Sequence, residues 1–254
     1  MQIIEIENLP FFQNKKIKSF SLLKNQGYNN INYLVKTSKK NYVLRIFNSK
    51  DNLNRELEYK IQKKSFLKNI SAKPYYFEKN SYLIYKYIKG KHKTKLKKAD
   101  LKLLIKSIKK LHQISIKKSS YNLKNLANIF ENYRLFLKDK KTNKQILKAK
   151  KQIKKLKKYT FWESLCHHDL NPKNIIFQRK KVIFIDWEYA RLDDIFFDLA
   201  SLCVEFKLSK KKQIYLLNLY FKNLEKEHLK KLALYKLIYK LLCKLWFKKE
   251  KVVQ

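Results

Sequence analysis

The chain has 254 residues, with 61 Lys and Arg against 20 Asp and Glu and a formal net charge of +41. That length suffices for a small lobe and a larger helical lobe, each with its own core, and three widely spaced cysteines speak against a disulfide framework and for reduced thiols in a cytoplasm. The charge excess would favour nucleic acid or anionic lipid, but the lysines run from end to end among Asn, Ile, Tyr and Leu, so compositional bias with solvated faces is expected and nucleic acid is not the expected partner.

In chain order, Met1 to Glu7 carries acids in place of a basic region and no long apolar run follows, so neither a signal peptide nor a membrane span is indicated. Ser19 to Leu23 and Tyr33 to Val35 read as strands. Between them lies Gly27, one of only two glycines, where a tight turn either brings backbone N–H groups onto phosphate or simply joins a hairpin. Asn41 to Phe47 is a third strand and Leu53 to Tyr59 a helical stretch. Ser81 to Gly90 reads as a last strand running into a hinge, with Tyr87 and Ile88 at its end. From Asp100 to Gln113, helical spacing of Leu101, Leu104, Ile105, Ile108 and Leu111 leads to His112, expected to be a buried, hydrogen-bonded structural histidine. The densest lysine run, Lys138 to Lys158, still keeps helical apolar positions at Ile146, Leu147, Ala149, Ile153 and Leu156. Near the end, Lys236, Lys240, Lys244 and Lys248 recur on one side, which predicts Ile238, Leu242 and Trp246 on the inward side. No internal repeat is found.

The chemistry concentrates in His167-His168-Asp169-Leu170-Asn171-Pro172-Lys173-Asn174 and Ile183-Phe184-Ile185-Asp186-Trp187-Glu188. Asn171-Pro172 disfavours helix and makes a loop. Asn174 to Phe177 and Val182 to Ile185 are short β-branched, apolar runs that predict a hairpin whose second strand delivers Asp186. An Asp, an Asn five residues on and a second Asp after a strand are what phosphoryl transfer asks for, with one carboxylate for the acceptor hydroxyl and an amide and a carboxylate for magnesium. The alternatives are an inert loop or a zinc cluster around Cys166; no second Cys or His pair supports zinc.

This segment resembles the catalytic core of the aminoglycoside phosphotransferase and choline kinase superfamily. Its continuation through Tyr189-Ala190, Asp193-Asp194 and Asp198-Leu199-Ala200 is most similar to bacterial choline kinases of the LicA type. The resemblance implies an α+β, two-lobed protein-kinase-like fold, with an N-terminal antiparallel sheet lobe over residues 1–87 and a mostly helical C-terminal lobe over 88–254. It implies Asp169 as catalytic base, His167 as loop support, and Asn174 and Asp186 as Mg²⁺ ligands. In the nucleotide lobe, Gly27 and Asn30 fall on a Gly-x-Thr-Asn loop in which Asn29 replaces the Thr. Arg45 stands where kinases put a cation for the ATP phosphates, and the family's Arg-x-x-Glu falls on Arg55 and Glu58, so Glu58 is expected to pair with Arg45, with Glu56 as fallback or a solvated helix surface as the plain alternative. Adenine is expected against backbone near Tyr87 and Ile88.

The implied reaction is ATP- and Mg²⁺-dependent phosphorylation of the choline hydroxyl, with ethanolamine, thiamine or another small alcohol as alternatives, and supply of phosphocholine for cell-surface glycans as the implied destination. A quaternary ammonium needs aromatic faces and a nearby carboxylate. Glu188, Tyr189 and Trp246 are the candidate acceptor residues; Glu205 is a further one, and Asp198 reads as a structural carboxylate or helix cap. The rival from another class is a basic binding protein on a kinase-like scaffold without turnover.

Overall fold

The computed structural model describes residues 3–24, 26, 30–47, 53–116 and 123–253. In chain order its elements are α1 (Ile3–Glu7), β1 (Ile17–Leu22), β2 (Asn30–Thr37), β3 (Asn41–Phe47), α2 (Arg55–Leu67), β4 (Pro74–Glu78), β5 (Tyr82–Lys86), α3 (Lys98–His112), α4 (Leu123–Leu137), α5 (Lys140–Leu156), β6 (Glu163–Cys166), a 3₁₀ turn (Pro172–Asn174), β7 (Ile175–Phe177), β8 (Val182–Phe184), β9 (Arg191–Asp194), α6 (Phe196–Glu205), α7 (Lys210–Tyr220) and α8 (Lys226–Val253). They form two compact units, one of residues 1–93 with 173–189, the other of 94–172 with 190–254.

The first unit is built on a five-stranded antiparallel sheet, order β1-β2-β3-β5-β4. β3 is central, paired on both sides, and its Val43, Leu44, Arg45 and Phe47 are buried. A strand so placed takes β-branched and aromatic side chains readily; a buried arginine on it demands counter-charges. The first residue of the edge strand β4 is Pro74, and the register shifts between it and Tyr76, since a proline has no N–H to give the ladder. α2 starts where the Asn54 side chain accepts from the Leu57 N–H at 2.9 Å.

The hairpin β7–β8 belongs to this unit, although the sequence expectation cut the chain once, at residue 87. The reason lies in two bridges, Ser71 to Phe184 and Lys91 to Phe177, the second made by paired backbone bonds of 3.0 and 2.9 Å. Gly90 permits that approach: a Cβ there would sit 2.3 Å from Ile176 Cγ2 and 2.8 Å from the Phe177 carbonyl oxygen.

The second unit is mostly helical, with a two-stranded ribbon of β6 and β9. α3 buries Leu101, Leu104, Ile105, Ile108 and Leu111, the stripe its spacing predicts. α5 buries Ile146, Ala149, Ile153 and Leu156, but Leu147, read as part of that stripe, is 59% exposed. It lies about 100° around the helix from Ile146 and faces outward among lysines. α8 departs from expectation too. Ile238 and Leu245 are fully buried, while Leu242 and Trp246 are only half-buried and so are Lys236 and Lys248. Residues four apart drift about 40° per step, so a side that holds at Lys236 has rotated about 120° by Lys248. Among the described residues, no helix is long and apolar enough to cross a membrane.

Candidate functional site

In the first unit, β3 supplies Arg45, α2 supplies Arg55 and Glu58, β2 begins with Asn30, and the segment after β8 supplies Asp186 and Glu188. Arg45 Nη1 lies 3.2 Å from Glu58 Oε1, and its Nη2 donates to Asp186 Oδ1 at 2.6 Å and Glu188 Oε2 at 2.8 Å. Arg55 Nη1 donates to Glu58 Oε2 at 2.7 Å and Glu188 Oε2 at 3.1 Å, with its guanidinium over the Phe47 ring at 4.5 Å. Asn30 Nδ2 also donates to Glu188 Oε2, at 2.7 Å, and Asn30 Oδ1 is buried without a hydrogen bond.

Both arginines and both glutamates are almost wholly buried; Asp186 keeps 27% of its side chain exposed. Burial works against the Arg45 charge, and Asp186, Glu58 and Glu188 more than offset it, so its pKa stands well above the usual arginine value. Burial lifts the Glu58 carboxyl against the pull of the two guanidinium groups. A guanidinium stays charged and grips several oxygens at once, so it can bridge three carboxylates where an ammonium would not.

The hairpin sets Asn174 beside Asp186. Ile175 pairs with Phe184, and the Ile185 N–H donates to the Asn174 carbonyl at 3.1 Å, so the two expected ligands lie at the same end of the ladder. Asp186 adopts a left-handed backbone, φ +69°, a conformation that only a few non-glycine residues tolerate. An amide oxygen and a carboxylate are hard donors, and with phosphate oxygens and water they make a chemically fitting set for Mg²⁺. Trp187, between Asp186 and Glu188, is buried and donates from Nε1 to Ser71 Oγ at 2.9 Å.

In the second unit, the loop after β6 carries Asp169. The Asp198 carboxylate of α6 accepts the backbone N–H of His167 at 2.9 Å and of His168 at 3.1 Å, and lies 3.2 Å from His112 Nε2. His112 Nδ1 meets the Tyr220 hydroxyl at 2.8 Å, so this histidine is buried and hydrogen-bonded as expected. Burial works against the Asp198 charge, but the hydrogen bond and charge of His112 and the His167 N–H outweigh it and hold Asp198 below the usual carboxylate range. His167 Nδ1 accepts the Asp169 N–H at 3.3 Å, and Asn171 Nδ2 donates to Asp169 Oδ1 at 2.9 Å, which fixes the carboxylate's direction. His168, at φ +66°, lies against Phe197 and 3.2 Å from Asp193 Oδ2. Burial, with the Arg191 charge, drives its pKa well below the usual value, so a neutral imidazole, not an imidazolium, lies beside Asp193.

Also in this unit, Tyr239 of α8 donates its hydroxyl to Glu205 Oε1 at 2.9 Å. Burial raises the Tyr239 pKa, and the charges of Cys243, Glu205 and Asp169 raise it further, so these four groups share one neighbourhood. Burial likewise raises Glu205, opposed by the Tyr239 hydrogen bond.

The structure thus gathers Asn30, Arg45, Glu58, Asn174 and Asp186 in the first unit, and His167 and Asp169 in the second. Gly27 and Asn29 lie outside the described residues. Tyr87 and Ile88 are half-buried against the cluster of Val43, Leu83 and Tyr85, with the Tyr87 N–H committed to the Asn41 carbonyl at 3.0 Å. Tyr189 is half-buried, and Trp246 is half-buried with an edge contact to Phe247. Glu188 changes place in the account: expected beside the acceptor, it is spent on Arg45, Arg55 and Asn30. Sequence reasoning missed this partnership: Glu188 sits only two residues from Asp186, but the chain there has left the strand and turns through the left-handed Asp186, so alternation gives no guide to where it points. It also passed over Tyr239, whose only sequence signal is its helical phase with Tyr235 on α8.

Comparison with known proteins bears on the family and the fold. Residues 23–234 match the model of the phosphotransferase enzyme family. Protein LicA of Haemophilus influenzae is 26% identical over 219 residues, covering 80% of this chain and 63% of that protein, so the chain spans less than two thirds of that relative's length. The choline kinase LicA from Streptococcus pneumoniae superposes with a TM-score of 0.78 at 20% identity, covering 94% of this chain and 88% of that one. The Plasmodium vivax ethanolamine kinase gives 0.71 at 22% identity, covering 90% and 74%. These superpositions show the kinase-like fold, and the family match over most of its length makes this chain a member of the phosphotransferase enzyme family.

Proposed function

We propose that this protein transfers the γ-phosphoryl group of ATP to the hydroxyl of a small amino alcohol, choline first among them. The observation that carries the reading is Arg45 bridging Glu58 and Asp186. A fixed cation on a central strand, tied to a helix glutamate and to a carboxylate at a hairpin end, is the arrangement that positions triphosphate oxygens for transfer. Asn174 and Asp186 are the residues to hold Mg²⁺, which when bound neutralises phosphate charge. Arg45 grips phosphate oxygens on the same side, and Asp169, steadied by Asn171, orients the acceptor hydroxyl and takes up its proton.

Acceptor selection falls to the second unit. A cationic amino alcohol with no N–H needs a carboxylate and aromatic surface, and Glu205 with Tyr239 offers both in the neighbourhood of Asp169. Trp246 is the further aromatic candidate of this unit. Burial raises the Glu205 pKa, and an arriving quaternary ammonium would favour its charged form.

The test is ATP-dependent ADP release across choline, ethanolamine, thiamine and other small alcohols, with Asp186→Ala alongside. Choline is expected to give the highest kcat/KM, and Asp186→Ala to lower it at least about a hundredfold. Preference for ethanolamine or thiamine would move the acceptor assignment. A flat response to every acceptor would favour a binding role.

A further inference from the structure

The helices α4, α5 and α8 pack on one another in the second unit and carry an unusual surface. α5 has eight lysines and no acidic residue in 17 positions, almost half of the helix, whereas Lys and Arg make up a quarter of the whole chain. Lys140, Lys144, Lys148, Lys151, Lys154 and Lys155 are exposed at three- and four-residue spacing, opposite the buried stripe. α8 adds nine lysines against two glutamates. Nearby acids are consumed internally: Glu131 is held by Arg134 and Lys150, and Asp139 by Lys248.

The same three helices also carry exposed apolar side chains. Of the nine exposed large hydrophobic side chains among the described residues, six lie on these helices, at Leu135, Phe136, Leu147, Leu237, Phe247 and Val252. Leu147 stands 59% exposed in the middle of the α5 lysines, and Phe136 lies 5.4 Å beneath the Lys249 ammonium. Lysine whose ammonium reaches outward beside aliphatic and phenyl side chains matches a surface with anionic headgroups over an acyl boundary. A polyphosphate backbone uses the charge alone and leaves Leu147, Leu135 and Val252 without a partner.

We propose that this face docks the protein on a membrane surface rich in anionic phospholipid. Phosphatidylcholine vesicles with and without about 30% phosphatidylglycerol, sedimented with the full-length chain at low and high salt, test it. Binding is expected only with the anionic lipid and is expected to weaken as salt rises. Reversing Lys140, Lys144, Lys148 and Lys151 to Glu should weaken it about tenfold or more, whereas reversing Lys16, Lys18, Lys36 and Lys39, exposed lysines of the first unit, should change it less than about twofold. Leu147→Ser with Phe136→Ser, at unchanged charge, should weaken it about three- to tenfold. Circular dichroism melts confirm that each variant is folded. Equal loss from both lysine sets would reduce the effect to net charge and overturn the proposal. So would unaltered vesicle binding by the serine variant together with tight, salt-sensitive RNA binding through the α5 lysines.

Discussion

Glu188 illustrates how a single carboxylate is assigned by its partners rather than by its neighbours in sequence. Its Oε2 accepts from Arg45, 143 positions away, from Arg55 and from Asn30, 158 positions away. Replacing it by Gln removes the charge but keeps the shape. Hydrogen bonds to charged groups are worth about 1.5–3 kcal/mol, so Glu188→Gln is expected to lower unfolding stability by about that amount in urea titration. Arg45 would keep Glu58 and Asp186 but lose one of the two carboxylates on its Nη2, so the KM for ATP should rise while the acceptor KM stays within about twofold. A raised acceptor KM at unchanged stability would return Glu188 to the acceptor side, where its position next to Tyr189 had suggested it. The motif itself was plain in the sequence because Asp169, Asn174 and Asp186 are tied by short covalent spacing. The second arginine was visible in Arg-x-x-Glu but its role was not, since nothing local says which carboxylates a buried guanidinium will meet.

At the scale of elements, α6 has a use beyond its packing. Asp198, in its first turn, holds the backbone of His167 and His168 and so fixes the start of the loop that carries Asp169. Its folded pKa is lowered, so it contributes stability that is fully present above its unfolded value of about 3.9 and is lost as pH falls through the lower folded value. Asp198→Asn can accept one of the two N–H groups with its oxygen but presents an amide to the other. The expected cost at pH 7 is about 2–4 kcal/mol. Urea titrations at pH 7 and pH 3 should show a shallower loss of stability on acidification in the variant than in the parent; parallel losses would deny Asp198 this part in acid unfolding. Most elements were readable beforehand. β3 and the β7–β8 hairpin stand where β-branched runs placed them, and α3 follows its apolar period. The inward side of α8 was misjudged because a four-residue lysine repeat and a 3.6-residue helix fall out of step.

For the whole molecule, a net charge of +41 means that the folded chain concentrates like charges that the unfolded chain spreads out. Salt shortens the range of that repulsion to about 8 Å at physiological ionic strength. The buried network of Arg45, Arg55, Glu58 and Glu188 is screened much less, so added salt relieves repulsion without dissolving the internal pairs. The melting temperature is therefore expected to rise by about 5 °C between about 20 and 300 mM NaCl. A falling melting temperature would mean that exposed pairs such as Lys79 with Glu56 outweigh the repulsion.

The sequence by itself determined which residues are the candidates for the chemistry, which strand holds Arg45 and which helices have a buried stripe, because spacing along the chain and the periods of helix and strand are local properties. Only the tertiary structure decided that Glu188 closes the arginine network, that Asp198 holds the loop carrying Asp169, and that the β7–β8 hairpin joins the first unit through Gly90. Each of these depends on a partner many residues away, and a buried charge takes the nearest opposite charge that the fold presents.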